Sequence, residues 1–166
     1  MQLKLLILSF FTFLMCFSFS AHANSPHAVG AGAHYWRPVD DLDADSDGDS
    51  ISYILAYRYD GGLMALHAEL EYFPEDFGTN SDPVYSPQVL AILGDHIYAG
   101  IGAGILYSDG DFSDEPFFML RAGFNILALG PVTIDINANY VFTDLDEVSD
   151  IDSDTITLGA MLRVKL

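Results

Sequence analysis

Residues 131–142, PVTIDINANYVF, alternate without a slip. Val132, Ile134, Ile136, Ala138, Tyr140 and Phe142 fall on one side; Thr133, Asp135, Asn137 and Asn139 fall on the other. A period of two marks a β-strand whose faces meet different surroundings. In a soluble protein the apolar face turns to a core. In a membrane barrel it turns to lipid, and the polar face lines the interior.

Seven further stretches read as strands: 27–36, 50–59, 63–73, 84–93, 96–107, 117–126 and 155–166. The fourth, VYSPQVLAIL, is the least regular, because Val89 to Leu93 do not alternate. Pro87 also removes a ladder donor, which places it near a rim. The connections then fall into an order. Long acidic segments follow strands one, three, five and seven, and short links containing DGG, GD and LALGP follow strands two, four and six. An up-and-down barrel with all its long loops on one side requires this alternation, and both termini then lie at the short-turn side, the periplasmic side of an outer-membrane barrel.

The contents of the two faces decide which is the inside. The seven clear strands present 37 apolar-face positions, and none is charged or an amide. The opposite faces hold Arg58, His67, Glu69, Glu71, Arg121, Asn125, Asp135, Asn137, Asn139, Arg163 and Lys165, interspersed with glycines such as Gly30, Gly102, Gly123 and Gly159. Glycine weakens a strand that faces water, but it makes room in a narrow lumen for Trp36, Tyr98, Met119 and the arginines. The polar face is therefore the interior. Tyr35, Tyr53, Tyr72, Tyr107, Phe118 and Phe142 near the long-loop ends, and Tyr57, Tyr59 and Tyr98 near the short-turn ends, would form two interfacial girdles.

The N-terminus sets the compartment. Lys4, an apolar run from Leu5 to Phe19 and the small-x-small site Ala21-His22-Ala23 form a secretory signal peptide, residues 1–23, which leaves the barrel domain as residues 24–166. The run is shorter than the roughly 20 residues of a membrane-spanning helix. The only cysteine, Cys16, leaves with the peptide, so disulfide and thiol chemistry are excluded. The formal net charge of −18 is concentrated: nineteen of the 24 acids lie in the four long segments. Such surfaces repel nucleic acid.

With its signal peptide, eight strands, alternating loop lengths and final strand TLGAMLRVKL, the chain resembles the small outer-membrane β-barrel family that includes the OmpA transmembrane domain and OmpX. The resemblance implies an all-β, eight-stranded antiparallel up-and-down transmembrane β-barrel in the cell outer membrane. It also implies a monomer inserted by the barrel-assembly machinery, which reads the last strand. In that family this strand usually ends in Phe; here it ends in Leu166.

Three constellations bear on function. Residues 43–50, DADSDGDS, open like a calcium loop, with Asp43, Asp45 and Asp47 as oxygen donors, Asp49 beside them and Gly48 at the turn. The acid expected at the twelfth position is replaced by Ile54, and strand two begins where a helix should. Weak Ca²⁺ or Mg²⁺ binding shared among the loops fits better than a dedicated site, and the bland alternative is a solvated loop suited to a saline habitat. The second constellation is the lumen network of Arg58, His67, Glu69, Glu71, Arg121, Asp135, Asn137 and Arg163. Charges in a low-dielectric lumen must pair, either as a plug that fixes register or as the gate of a narrow pore. Eight-stranded interiors are usually filled, which favours the plug. The third, His67-Ala68-Glu69, offers a histidine and an acid on one face, but no partner nucleophile with a recognisable spacing accompanies it. The expected role is structural or surface-interactive rather than catalytic, with no resident cofactor. Lipid and lipopolysaccharide are the expected partners, and divalent cations would bridge the acidic loops to lipopolysaccharide phosphates. A narrow passive channel for small solutes is the alternative, and a lipid-modifying enzyme a more distant one.

Overall fold

The computed structural model describes residues 25–38, 50–75, 77, 82–143 and 155–166. Residues 1–23, read above as a signal peptide, and Asp43, Asp45, Asp47 and Asp49 lie outside the described residues. Every regular element among those described is a strand: β1 His27–Pro38, β2 Ser50–Asp60, β3 Met64–Phe73, β4 Val84–Gly94, β5 Ile97–Gly104, β6 Tyr107–Ser108, β7 Asp111–Phe112, β8 Phe117–Leu129, β9 Val132–Phe142 and β10 Thr155–Lys165. Eight of these, all but β6 and β7, pair antiparallel with both neighbours around a ring, closed by β1–β10 and β3–β4. The result is an eight-stranded up-and-down β-barrel. Most of its strands have 10–13 residues, and a tilted strand crossing a bilayer needs about 9–11.

Side chains alternate across the wall in the sense the faces require. Leu158 is 57% exposed and Leu55 62%, whereas Arg121 and Asn137 are 2% and 3% exposed. The apolar face is outside. At the short turns the chain bends through left-handed glycine: Gly94 has φ +101°, and a Cβ there would collide with the Ile97 carbonyl. The last short link is tighter than the sequence suggests. β8 runs on to Leu129 with an irregularity between Leu127 and Leu129, so only Gly130 and Pro131 remain before β9.

β4 shows why its pattern is hard to read. Leu90 and Ile92 point inward and are buried, while Val89 and Leu93 point outward and are exposed, so apolar residues occupy both faces. Leu90 and Ile92 join Ala65, Tyr98, Phe117 and Met119 in an apolar lobe of the lumen. Pro87 lies where the β4–β5 ladder ends. That ladder stops at Gln88–Gly104, and the Pro87 carbonyl accepts from Ile105 N–H on the same side. The missing proline donor therefore falls beyond the last β5 rung, and β3 pairing continues through Leu70 undisturbed.

Two expectations are corrected. Strand five does not reach residue 107. It ends at Gly104, and β6 and β7 form a small hairpin inside the third long connection, with Asp109 and Gly110 both at positive φ. An Asp-Gly pair with that geometry makes the tight primed turn whose twist suits a two-residue hairpin. Tyr98 is not a girdle residue: it is buried in the lumen, in space left by Gly123, where a Cβ would lie 2.6 Å from Tyr98 Cζ. Tyr53, Tyr57 and Tyr59 do face outward and are exposed. Phe142 also sits on the outer side of its strand, but it is covered, with the Phe118 and Tyr140 rings against it.

An exterior charge at mid-wall should be far more damaging than one at the rim. Leu55→Arg, at the centre of β2, is expected to destabilise the folded barrel in phospholipid vesicles by about 2–4 kcal/mol, and Tyr59→Arg by about 0–1 kcal/mol. Urea titration of vesicle-inserted protein measures both. Equal effects at the two positions would contradict a lipid-facing exterior.

Candidate lumen network and its neighbours of known structure

β3 supplies the axis of the site. Its inward residues, two apart, are His67, Glu69 and Glu71, rising from the short-turn side towards the long loops. Each carboxylate or imidazole collects donors from strands on both sides.

Glu71 lies highest. Its Oε1 accepts from His34 Nδ1 at 3.0 Å, from Trp36 Nε1 at 2.9 Å and from the Ser52 hydroxyl, and its Oε2 accepts from Gln88 Nε2 at 2.7 Å. These donors come from β1, β2 and β4. No guanidinium touches this carboxylate among the described residues. Its charge is dispersed over several short, convergent hydrogen bonds, the arrangement a buried carboxylate needs.

Glu69 lies at mid-height and meets Arg121 from β8 in a bidentate fork, NH1–Oε1 at 2.6 Å and NH2–Oε2 at 2.9 Å. Arg121 Nε donates to Asn139 Oδ1. The Asn139 amide nitrogen in turn donates to Thr157 Oγ1 at 2.7 Å. Both ions of the pair are buried. The planar fork fixes direction as well as distance, which lysine could not do.

Below this level, Asp135 on β9 accepts from the Tyr98 hydroxyl at 2.7 Å, from Arg163 NH2 at 2.7 Å and from Asn137 Nδ2 at 2.7 Å. Arg163 also donates to Asn125 Oδ1. His67 Nδ1 lies 3.3 Å from Glu69 Oε1, while its Nε2 lies 3.4 Å from both Arg58 NH1 and Arg163 NH1. Only a neutral imidazole protonated on Nδ1 can satisfy this set, because Nε2 must accept.

Every residue proposed for the network from sequence, Arg58, His67, Glu69, Glu71, Arg121, Asp135, Asn137 and Arg163, is buried in the lumen. They form one connected system rather than separate pairs. The named set left out further members: His34, Ser52, Gln88 and Thr157, and also Asn139 and Tyr98, which the sequence placed in the interior without assigning them to the network, join the charged members, so all eight barrel strands contribute a side chain. Strand parity carried that signal on every strand but β4: each of these residues except Gln88 lies an even number of positions from an inward glycine, acid or arginine on its own strand. Gly159 leaves the space in which His34 sits beside Asn137.

No protein-family model and no curated protein matches the sequence. Among solved structures, the barrel of Neisserial surface protein A (NspA) matches with a TM-score of 0.59 at 16% identity, over 86% of this chain and 98% of that one. Two structures of Ail, the attachment invasion locus protein of Yersinia pestis, match at 0.43 and 0.42 with 18% and 14% identity. The second is a complex with the heparin analogue sucrose octasulfate. Each covers 84% of this chain and 97% of Ail. The fold of this chain, shared with NspA, is that of the small eight-stranded outer-membrane β-barrels.

The Glu69–Arg121 pair gives the site a clear test. Glu69→Gln or Arg121→Met alone leaves one buried charge without its partner and should cost about 3–5 kcal/mol, whereas the double variant should recover much of that loss. Denaturant titrations in detergent micelles, arranged as a double-mutant cycle, measure the coupling. Additive losses would show that the two side chains do not act as a pair.

Proposed function

We propose that the protein is an outer-membrane surface barrel with a sealed lumen: a structural and interactive element of the envelope rather than a channel or an enzyme. The observation that carries this reading is the buried, hydrogen-bonded network from Glu71 to Arg163, with the Glu69–Arg121 fork at mid-height. An eight-stranded barrel is only wide enough to be filled by its own side chains, and these side chains are buried and bonded to one another. His67 and Glu69 are absorbed in the same network, which argues against using them as an acid–base pair.

The outward-facing chemistry lies in the long connections. Glu75, Asp82, Asp109, Asp111, Asp114 and Glu115 are exposed at that end. In this reading the loops meet lipopolysaccharide phosphates through Ca²⁺ or Mg²⁺, because direct contact would oppose like charges. The resemblance to a Neisserial surface protein is in keeping with display at the cell exterior.

Planar-bilayer recording of the refolded protein tests the sealed lumen: the expected record is flat, and steady single-channel steps would favour the passive-channel reading instead. For the loops, sedimentation with lipopolysaccharide vesicles should show binding with millimolar Ca²⁺ that chelator reverses. Equal binding with and without divalent cation would remove the bridging role.

A further inference from the structure

The lumen balances its charge overall but not locally. Glu69, Glu71 and Asp135 are matched in number by Arg58, Arg121 and Arg163, all buried. Arg121 takes Glu69 and Arg163 takes Asp135 at close range. Glu71, near the long loops, is left with His34 and uncharged donors, and Arg58, near the short turns, has the partly exposed Asp60 as its ion-pair partner among the described residues. Its NH2 is 3.4 Å from Asp60 Oδ2, whose side chain is 32% exposed, and its NH1 shares the single acceptor nitrogen of His67 with Arg163. Two guanidiniums converging on one neutral nitrogen at 3.4 Å repel each other and are poorly satisfied.

These two arginines border a cavity of about 180 Å³ that opens at the short-turn mouth. Lys165, His27 and His96 also line it. Among the described residues, Lys165 makes no ion pair. Thus three of the chain's six lysines and arginines meet in one small cavity, on a protein whose net charge is −18. Two acids are present as well, but neither fills the cavity's demand for negative charge. Asp60 pairs with Arg58 at 3.4 Å from a partly exposed position and leaves Lys165 unmatched, and the contact Asp95 makes is through its backbone carbonyl, which accepts from Asn125 Nδ2.

We propose that this mouth binds a phosphate-class oxyanion. Guanidiniums hold tetrahedral oxyanions through paired N–H donors, and a lysine adds a mobile point charge. Arg58 is the principal donor from the inner wall, Lys165 closes on the anion from β10, and Arg163 contributes its field while remaining bound to Asp135. The anion gives Arg58 a second and shorter-range negative partner beside the 3.4 Å pair it makes with Asp60, and gives Lys165 its counter-charge. Its chemistry is shared by a free phosphate or phosphorylated solute and by the headgroup of a phospholipid in the leaflet surrounding the short turns.

The test uses full-length mature barrel refolded in an uncharged detergent, titrated with inorganic phosphate at constant ionic strength and followed by isothermal calorimetry. Saturable one-site binding is expected, weakened about tenfold or more in Lys165→Gln and in Arg58→Gln, since a charge-assisted hydrogen bond is lost in each. Asp111→Asn, a charge change at the opposite mouth, should leave it unchanged. Nanodiscs of phosphatidylglycerol and of phosphatidylcholine provide the second arm, read by magnetisation transfer from headgroup protons to Lys165. Transfer in phosphatidylglycerol alone, abolished by Lys165→Gln, with no free-phosphate binding, assigns the headgroup; free-phosphate binding assigns a soluble oxyanion. Absence of both, or affinity in Lys165→Gln equal to the parent, overturns the site. Lys165 is only partly buried and lies outside the ion-pair network, so its variant decides the matter even if Arg58→Gln does not fold.

Discussion

Hydrocarbon offers the backbone no hydrogen-bond partner, and the other features of this chain follow from that constraint. A sheet in lipid has to close, because an open edge would leave a row of N–H and C=O groups unpaired at several kcal/mol each. Closure here is completed by β1 with β10 and β3 with β4. It explains the position of Pro87, whose missing donor falls beyond the end of the β5 ladder. It also explains the short glycine turns, since a barrel of adjacent antiparallel strands has no use for long crossovers at that end.

Closing eight strands creates the next problem, a narrow interior that must be filled. The chain solves it with two materials. One side of the lumen is apolar, with Leu90, Ile92, Phe117 and Met119 packed together. The remainder is a polar network in which carboxylates and guanidiniums are equal in number. Such a network gives little net stability compared with an apolar filling, because each ion must be desolvated. Its contribution is directional. The Glu69–Arg121 fork connects strands that are not neighbours in the ring and the donors around Glu71 tie β3 to β1, β2 and β4, so a slipped register would leave a buried charge without its partner.

The barrel was legible in the sequence because its two periodic signals are both local: alternation within strands and the long–short rhythm between them. The orientation of the wall was legible because the outer positions lack charge altogether. What escaped was non-local or ambiguous. β4 hides its alternation because Leu90 and Ile92 face an apolar lobe rather than polar lumen, so both faces look alike. The β6–β7 hairpin is too short to show a period, although Asp109-Gly110 is a turn pair. Tyr98 could be read both as a lumen side chain and as an interfacial aromatic near a strand end, and the opposing Gly123 and the Asp135 carboxylate hold it inward. The membership of the lumen network could be read from parity, but its pairings could not, since Glu69 and Arg121 meet across the barrel from strands separated by 52 residues.

The two ends of the molecule differ in a way that the pairing scheme makes physical. Acidic residues crowd the long connections, and the buried carboxylate held without a guanidinium, Glu71, lies at the same end. Arg58, whose ion pair among the described residues is the 3.4 Å contact with the partly exposed Asp60, lies at the other, beside Lys165. The interior therefore carries its charge offset in the same sense as the surface, negative towards the loops and positive towards the short turns. In a low-dielectric wall such an offset is not screened as it would be in water. On the readings proposed above, the two mouths take counter-charges of opposite sign: cations among the loops, and an anion where Arg58 and Lys165 face the cavity. A fold chosen for closure alone would not dictate this polarity. It arises because Glu71 is held by His34, Trp36, Ser52 and Gln88 rather than by a guanidinium among the described residues, and Arg58 is placed two turns of the alternation below it, an arrangement that makes the barrel a dipole as well as a wall.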